Sequence, residues 1–352
     1  MSNISVNTIT DASGGSTASI NGLTPQASNM QPFNRIINGA MTVDQRNAGA
    51  AVTPADTQYT LDRWVGRMYP NASKYTLQQN AGAVTPPVGF IKYLGVTSSS
   101  AYSVGAGDYY GIEQRIEGLN TGDLAWGTAD AKTVTLSFWV RSSLTGGFGG
   151  NIRNLASDYS YPFAYSITSA NTWEYKSVTI AGPTTGTWLT TNSIGLQVGF
   201  SLGTGSSGLG TADTWAGAFR GAPTGATSVV GTSGATFYIT GVQLEAGSIA
   251  SPFAHENYGD TLRKCQRYFQ VYGNGVDNSF AYLQYSSTYR QINFTHSPLL
   301  RAAPTITQNY LAQYSAGIVY LNEFNICGLY LSMNYDNSAA NYASKLTFDA
   351  EL

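Results

Sequence analysis

The sequence predicts an all-β protein built on an antiparallel two-sheet sandwich, and three observations predict it. Only 11% of the 352 residues are charged, against about 25% in an average soluble domain, and Gly, Ser, Thr, Asn and Tyr fill the polar positions instead. Short runs rich in β-branched and aromatic residues recur between clusters of turn formers, with almost no helical period between them. The 39 glycines and 24 tyrosines suit this arrangement: glycine supplies positive-φ turns, and tyrosine buries a ring while its hydroxyl stays wet.

A chain of this length is expected to hold more than one compact unit. Residues 1–30 are too polar to close a core, yet Ile4, Val6 and Ile9, then Ile20 and Leu23, sit among polar residues with strand-like spacing. This pattern predicts an extended arm that adds strands to a partner, with those five apolar residues as its contacts. The sandwich is expected over 31–255, with strands near 74–77, 90–94, 109–116, 133–140, 175–180, 195–200 and 237–244. In 133–140 the alternation places Val134, Leu136, Phe138 and Val140 on a core face and turns Trp139 the other way, where it needs a cover or a ligand.

The stretch from about 201 to 236, carrying Trp215 and Phe219, reads as a long loop of the length usually reserved for function. Residues 256–270 predict a short helical hinge: Leu262, Cys265 and Phe269 fall at helical spacing, with Asp260 or Thr261 as N-cap and Arg263, Lys264 and Arg267 free to reach solvent or an adjacent chain. Strand patterns dense in tyrosine resume over 271–352 and predict a smaller C-terminal β domain.

Little in the chain looks like chemistry. A net charge of −2 lacks the basic footprint of a nucleic-acid binder, no apolar run is long enough for membrane insertion, and the N-terminus has no signal-peptide pattern. Cys265 and Cys327 are expected as buried free thiols. His255 and His296 lack any triad or metal spacing. Glu113 and Glu117, at i and i+4 on a strand, stand about 13 Å apart, beyond the roughly 5–10 Å of a glycosidase pair, so an ion pair with Arg115 between them is expected. Gly203 to Gly208 fits a dinucleotide fingerprint in letters, but no helix pattern opens after it. Asp11, Asp123, Asp130, Asp158 and Asp213 lie near loops without EF-hand spacing. No catalytic residue, metal site or cofactor is therefore expected.

Several longer words carry more. Residues 131–141 (AKTVTLSFWVR), 237–247 (FYITGVQLEAG), 251–253 (SPF) and 265–269 (CQRYF) follow NRIINGAM at 34–41 and LDRWV at 61–65. In this order they resemble bacteriophage tail-fibre and related receptor-binding virion proteins that contain a carbohydrate-binding-module-like jelly roll, over roughly residues 1–270. The resemblance implies a jelly-roll form for the sandwich, a homotrimer, and attachment to other phage virion proteins through the arm. It also implies a bacterial surface polysaccharide as receptor and a place in the virion after assembly in the host cytoplasm. PLLRAAPTI at 298–306 resembles a word of phage tail-tip domains. The same resemblance leaves open a capsid-decorating head fibre or cement protein. For a glycan, Trp126, Trp173, Trp188 and Trp215 are the candidate contacts, being nearest to turn sequences; a ring face takes the C–H face of a sugar while nearby polar groups take its hydroxyls.

Overall fold

The computed structural model describes residues 34–70, 72–272, 298–307 and 347–352 in full, and the backbone of 283–284, 289–295, 308–310, 315–320, 326–332 and 344–346. The expected arm, with Ile4, Val6, Ile9, Ile20 and Leu23, lies outside the described residues, as do Asp11 and His296.

The body is an antiparallel jelly-roll sandwich. Its strands are β1 (Gln58–Leu61), β2 (Trp64–Tyr69), β3 (Tyr75–Gln79), β4 (Leu94–Ser98), β5 (Tyr109–Glu117), β6 (Val134–Ser142) and β7 (Gly146–Arg153). After them come β8 (Ser160–Ile167), β9 (Glu174–Ile180), β10 (Ile194–Thr204), the short β11 (Leu209–Gly210) and β12 (Ala222–Pro223), and β13 (Thr236–Ala246). One sheet has the order β1-β2-β5-β10-β7-β8 and the other β3-β4-β13-β6-β9. Between them, Val134, Leu136, Phe138 and Val140 of β6 are all fully buried, as their alternation requires. Phe138 meets Phe200 at 4.9 Å and Tyr165 at 5.0 Å across the gap, both edge to face, so the two sheets interdigitate through rings.

Several expectations need correction. Strand β4 begins at Leu94, not 90, because Phe90 turns away to pack on Phe253. Strands β7 and β8 are not among the expected ones, and β7 contains Gly146, Gly147, Gly149 and Gly150. The last two are there for space: a Cβ on Gly149 would lie 2.3 Å from Pro223, and one on Gly150 2.0 Å from the Gly199 carbonyl oxygen. The expected loop from 201 is strand as far as Thr204, and Leu202, Val229 and Val230 are fully buried. It is a tied-down crossing rather than a free loop.

The sequence words at 34–41 and 237–253 hold each other. Asn34 Oδ1 accepts from the amides of Ile36 (2.9 Å) and Leu244 (3.0 Å), and its Nδ2 donates to the Val242 carbonyl (3.0 Å). The Val242 amide returns a bond to Gly39 O, where a Cβ on Gly39 would sit 2.1 Å from Val242 O and block the approach. Past β13, Glu245 accepts from the Ser251 amide (2.8 Å) and hydroxyl (2.7 Å), and Gln243 Oε1 from the Ala254 amide (2.8 Å). Buried side chains thus take the bonds that the departing backbone would otherwise lack.

Helix α1 (Tyr258–Gln266) lies within the expected hinge, but its N-cap is Asn257, not Asp260 or Thr261. Its buried face is Thr261 and Cys265; Leu262 is half-buried, and Phe269 already belongs to β14 (Phe269–Tyr272). The C-terminal strands are β15 (Leu283–Gln284), β16 (Tyr289–Thr295), β17 (Thr305–Tyr310), β18 (Ser315–Tyr320), β19 (Ile326–Ser332) and β20 (Ser344–Asp349), in sheets ordered β14-β20-β17 and β15-β16-β19-β18.

Charged groups close the outer face of the six-stranded sheet. Ile112 and Ile116 of β5 point to the core, so Glu113, Arg115 and Glu117 point outward. Glu113 is fully buried: Arg153 Nη2 lies 2.7 and 2.8 Å from its two oxygens, and Arg67 Nη1 3.1 Å from one of them. Glu117 takes Arg267 at 2.6 and 3.0 Å and the Tyr268 hydroxyl at 2.8 Å. Arg115 instead donates to the Leu352 carbonyl oxygen, while Arg63 pairs with Glu351 and Arg46 with both Asp349 and Glu351. The expected Glu–Arg115 pair is absent from the bonds of both carboxylates, and Arg267 is not free. Side chains at separations of tens to hundreds of residues outcompete the neighbour on the strand.

Burial pushes the Glu113 carboxyl up, but Arg153, then Arg67 and Arg115, outweigh it and hold it below its usual 4.5. A depressed carboxyl contributes stability that is present above the unfolded value and lost as pH falls through the folded one. Glu113→Gln should therefore cost about 3–5 kcal/mol at pH 7 by leaving buried guanidinium groups uncompensated. The gap to wild type in denaturant titrations should narrow below pH 4.5; a gap that does not change with pH would mean the charge is not what holds the site. Burial likewise raises the thiol of Cys265, a free and fully buried cysteine. Native protein should resist thiol reagents at Cys265 and label there only on unfolding, which peptide mapping reads directly.

Candidate functional site

The ends of β5, β7 and β9 and the starts of β6, β8 and β10 lie together, as the pairs Glu117 with Ile194, Val134 with Ile180 and Arg153 with Ser160 show. Two loops at this end carry Trp126 and Trp188, and a segment arriving from elsewhere adds Trp215, so three of the four candidate tryptophans meet here. Trp126 meets Trp188 at 4.8 Å and Trp215 at 5.6 Å, and Trp188 meets Trp215 at 5.6 Å, every pair nearly perpendicular. Trp215 comes from the opposite end: the chain after β12's partner strand crosses the edge strand β8, where Ser160 and Ala216 exchange backbone bonds of 3.0 and 2.8 Å. Tyr159 then stacks on Trp215 at 5.5 Å and 19°.

Each indole N–H is spent on backbone: Trp126 on Lys132 O (2.8 Å), Trp188 on Thr185 O (3.1 Å) and Trp215 on Ala181 O (2.8 Å). Two glycines with positive φ let the loops thread these rings. A Cβ on Gly127 would come 2.7 Å from Gly186 O, and one on Gly186 3.1 Å from both Tyr159 and Trp188. Trp126 is the floor, 7% exposed, while Trp188, Trp215 and Tyr159 are half-buried and form the outer surface. Exposed Thr184, Thr185, Thr187, Asp213 and Thr214 flank them in sequence. The arrangement offers carbon-rich ring surface beside hydroxyl and carboxylate groups.

Trp173 is not part of this cluster. It sets its ring edge on Tyr93 at 5.5 Å and donates to Thr85 O (2.9 Å), pinning the turn that precedes β4. Trp139 is half-buried beside Tyr175 at 5.5 Å, so its outward face is partly covered by a neighbouring ring.

A second concavity was not apparent in the sequence. It holds about 300 Å³ and is lined by residues of the 34–42 segment, by Phe90 and Ile91, and by the chain from Phe253 to Tyr258. Three segments this far apart give no periodic signal.

The titratable candidates are engaged elsewhere. Glu113 and Glu117 are in the ion pairs above, and His255 packs its ring on Phe90 (5.2 Å) and Phe253 (4.9 Å). Asp123 forms a two-pronged pair with Arg35 (2.7 and 2.8 Å), Asp158 accepts from Asn154 (2.7 Å), and Asp213 accepts from the Ala164 amide (3.3 Å). Among the described residues no group of three or more His, Cys, Asp or Glu side chains converges as metal ligands would. The glycines of 203–208 serve close approach: a Cβ on Gly205 would lie 1.9 Å from Gly105 O, and the stretch ends in a 3-10 turn, Ser206–Gly208, that runs into β11 and not into an α-helix.

No protein-family model and no curated protein matches the chain. Solved structures with a similar arrangement include the enzymatically active domain of bacteriophage CBA120 tailspike protein 4, at 10% identity and TM-score 0.31, covering 61% of this chain and 21% of that one. Another is a structure described as CBM4, at 16% identity and TM-score 0.29, covering 60% and 98%. The family 11 carbohydrate-binding module from Clostridium thermocellum matches at 12% identity and TM-score 0.27, covering 58% and 100%. The chain thus spans about a fifth of the tailspike chain, and these likenesses concern the course of the strands alone.

Because Trp215 is wedged among four rings and holds Ala181, its loss should be felt in stability. Trp215→Ala is expected to lower unfolding free energy by about 2–4 kcal/mol, less than the upper range for a fully buried tryptophan. An unchanged melting temperature would show the ring to be a free platform instead.

Proposed function

We propose that this protein is a structural component of a bacteriophage virion, a homotrimeric tail fibre or spike whose sandwich binds a polysaccharide of the bacterial surface. The observation that carries the reading is the half-buried ring surface of Trp188, Trp215 and Tyr159 at the strand ends, flanked by exposed threonines. Such a surface suits a ligand with a C–H face and a rim of hydroxyls. It is held rigidly by three indole–carbonyl bonds, and a rigid platform loses little entropy on binding. The resemblance of the sequence words supplies the phage setting and the trimer.

In this reading residues 1–30 attach to the virion, 31–255 form the sandwich, 256–270 connect, and 271–352 form the distal tip. Trp126 supports the contact residues from beneath; Trp173, just before the start of β9, lies at the other end of that strand and is no part of the proposed surface. Binding rather than hydrolysis is the proposed activity, because Glu113 and Glu117 are committed to arginines.

The test is binding of the full chain to an array of bacterial capsular and O-polysaccharides. Trp188→Ala should weaken the recognised interaction at least tenfold, and the viscosity of that polysaccharide should be unchanged on prolonged incubation. If the wild-type chain binds no polysaccharide, or if viscosity falls, the reading is wrong.

A further inference from the structure

We propose that the recess between the 34–42 segment, the turn at 89–91 and the chain leading into α1 is a second carbohydrate site, taking one neutral pyranose ring at the end of a glycan. This rests on the glycan-binding reading and adds to it a site of different shape. The recess holds about 300 Å³, the small end of the roughly 300–1,000 Å³ typical of ligand sites, which leaves room for one sugar ring and not for a chain.

One wall is carbon. Phe90, Phe253 and His255 meet one another at 5.1, 5.2 and 4.9 Å, so their rings make one continuous surface, and Tyr258, 59% exposed, stands at the rim. The 34–42 segment adds small residues to the lining, Gly39, Ala40 and Thr42, of which Thr42 carries a hydroxyl. Among the described residues no lysine or arginine lines the recess, and its charged side chain, Glu256, is paired with Lys264. An anionic ligand would meet a carboxylate there and no cation of the lining. A ring with C–H groups on one face and uncharged hydroxyls at its edge fits this lining.

The carbon wall is positioned by the two sequence words rather than left to chance. Gly241, at φ +61° where the β13 pairing shifts register, clears the space for Phe90: a Cβ there would lie 2.6 Å from its ring. The grip of Gln243 and Glu245 on Ser251 and Ala254 fixes Phe253 between them.

The experiment uses the full chain, with saturation-transfer NMR and calorimetry on methyl glycosides of glucose, galactose, mannose and N-acetylglucosamine, beside the polysaccharide found on the array. His255 and Tyr258 are exposed, so a His255→Ala/Tyr258→Ala variant keeps the fold. At least one methyl pyranoside should bind the wild type, bind this variant tenfold or more weakly, and bind Trp188→Ala unchanged. If the monosaccharide is lost only in Trp188→Ala, or none binds while the polysaccharide does, the second site is refuted and the glycan reading stands. If neither monosaccharide nor polysaccharide binds, both fall.

Discussion

Two carboxylates buried on the outer face of β5 set the terms for the rest of the fold. A buried charge is tolerable only when it is paired and its remaining lone pairs are bonded, and Glu113 and Glu117 draw their partners from three different places: Arg67 on β2, Arg153 on β7, and Arg267 and Tyr268 after α1. The row therefore ties β5 to β2 beside it, to β7 on the far side of β10, and to the chain that returns after the helix. Arg63 extends it, lying over the Tyr268 ring at 3.5 Å and pairing with Glu351. The outer face of the larger sheet around β5 is thus filled by the protein's own side chains, while the ring surface at the strand ends and the recess beside α1 stay open.

The same logic separates two kinds of residue that look alike in sequence. Polar residues with fixed partners, such as Asn34, Gln243 and Glu245, bond backbone that leaves the sheets. They tie the words at 34–41 and 237–253 to each other: each supplies the other's hydrogen bonds, so a change in one leaves a buried donor or acceptor unmet in the other. Rings at the loop ends are divided likewise. Trp126 is floor and Trp188 is surface, although both precede polar turn sequence.

What could be read from the sequence follows from how local the deciding interaction is. The β6 core face was legible because its alternation is uninterrupted over Val134, Leu136, Phe138 and Val140. Strand β7 was not, because its glycines answer to Pro223 and Gly199, which lie far along the chain. Burial of Cys265 was legible from helical spacing, whereas the partners of Glu113 and Arg267 were not, since they belong to separations of 40 and 150 residues. The tryptophans were recognisable as loop residues, but that three of them converge depends on the chain crossing β8 at Ala216. The recess drew on three segments with no common pattern and left no trace in the sequence.

The central claim is that the carboxylate row is structural and the ring surface at the strand ends is what meets a ligand. An 15N NMR titration of the indole N–H signals with the recognised polysaccharide tests it most directly, since each of the 6 tryptophans reports separately. The account predicts that Trp188 and Trp215 shift together while Trp64, fully buried, stays in place and the polysaccharide remains intact. Binding that leaves every indole signal unmoved, or that shifts the amides of Glu113 and Glu117 instead, would contradict it.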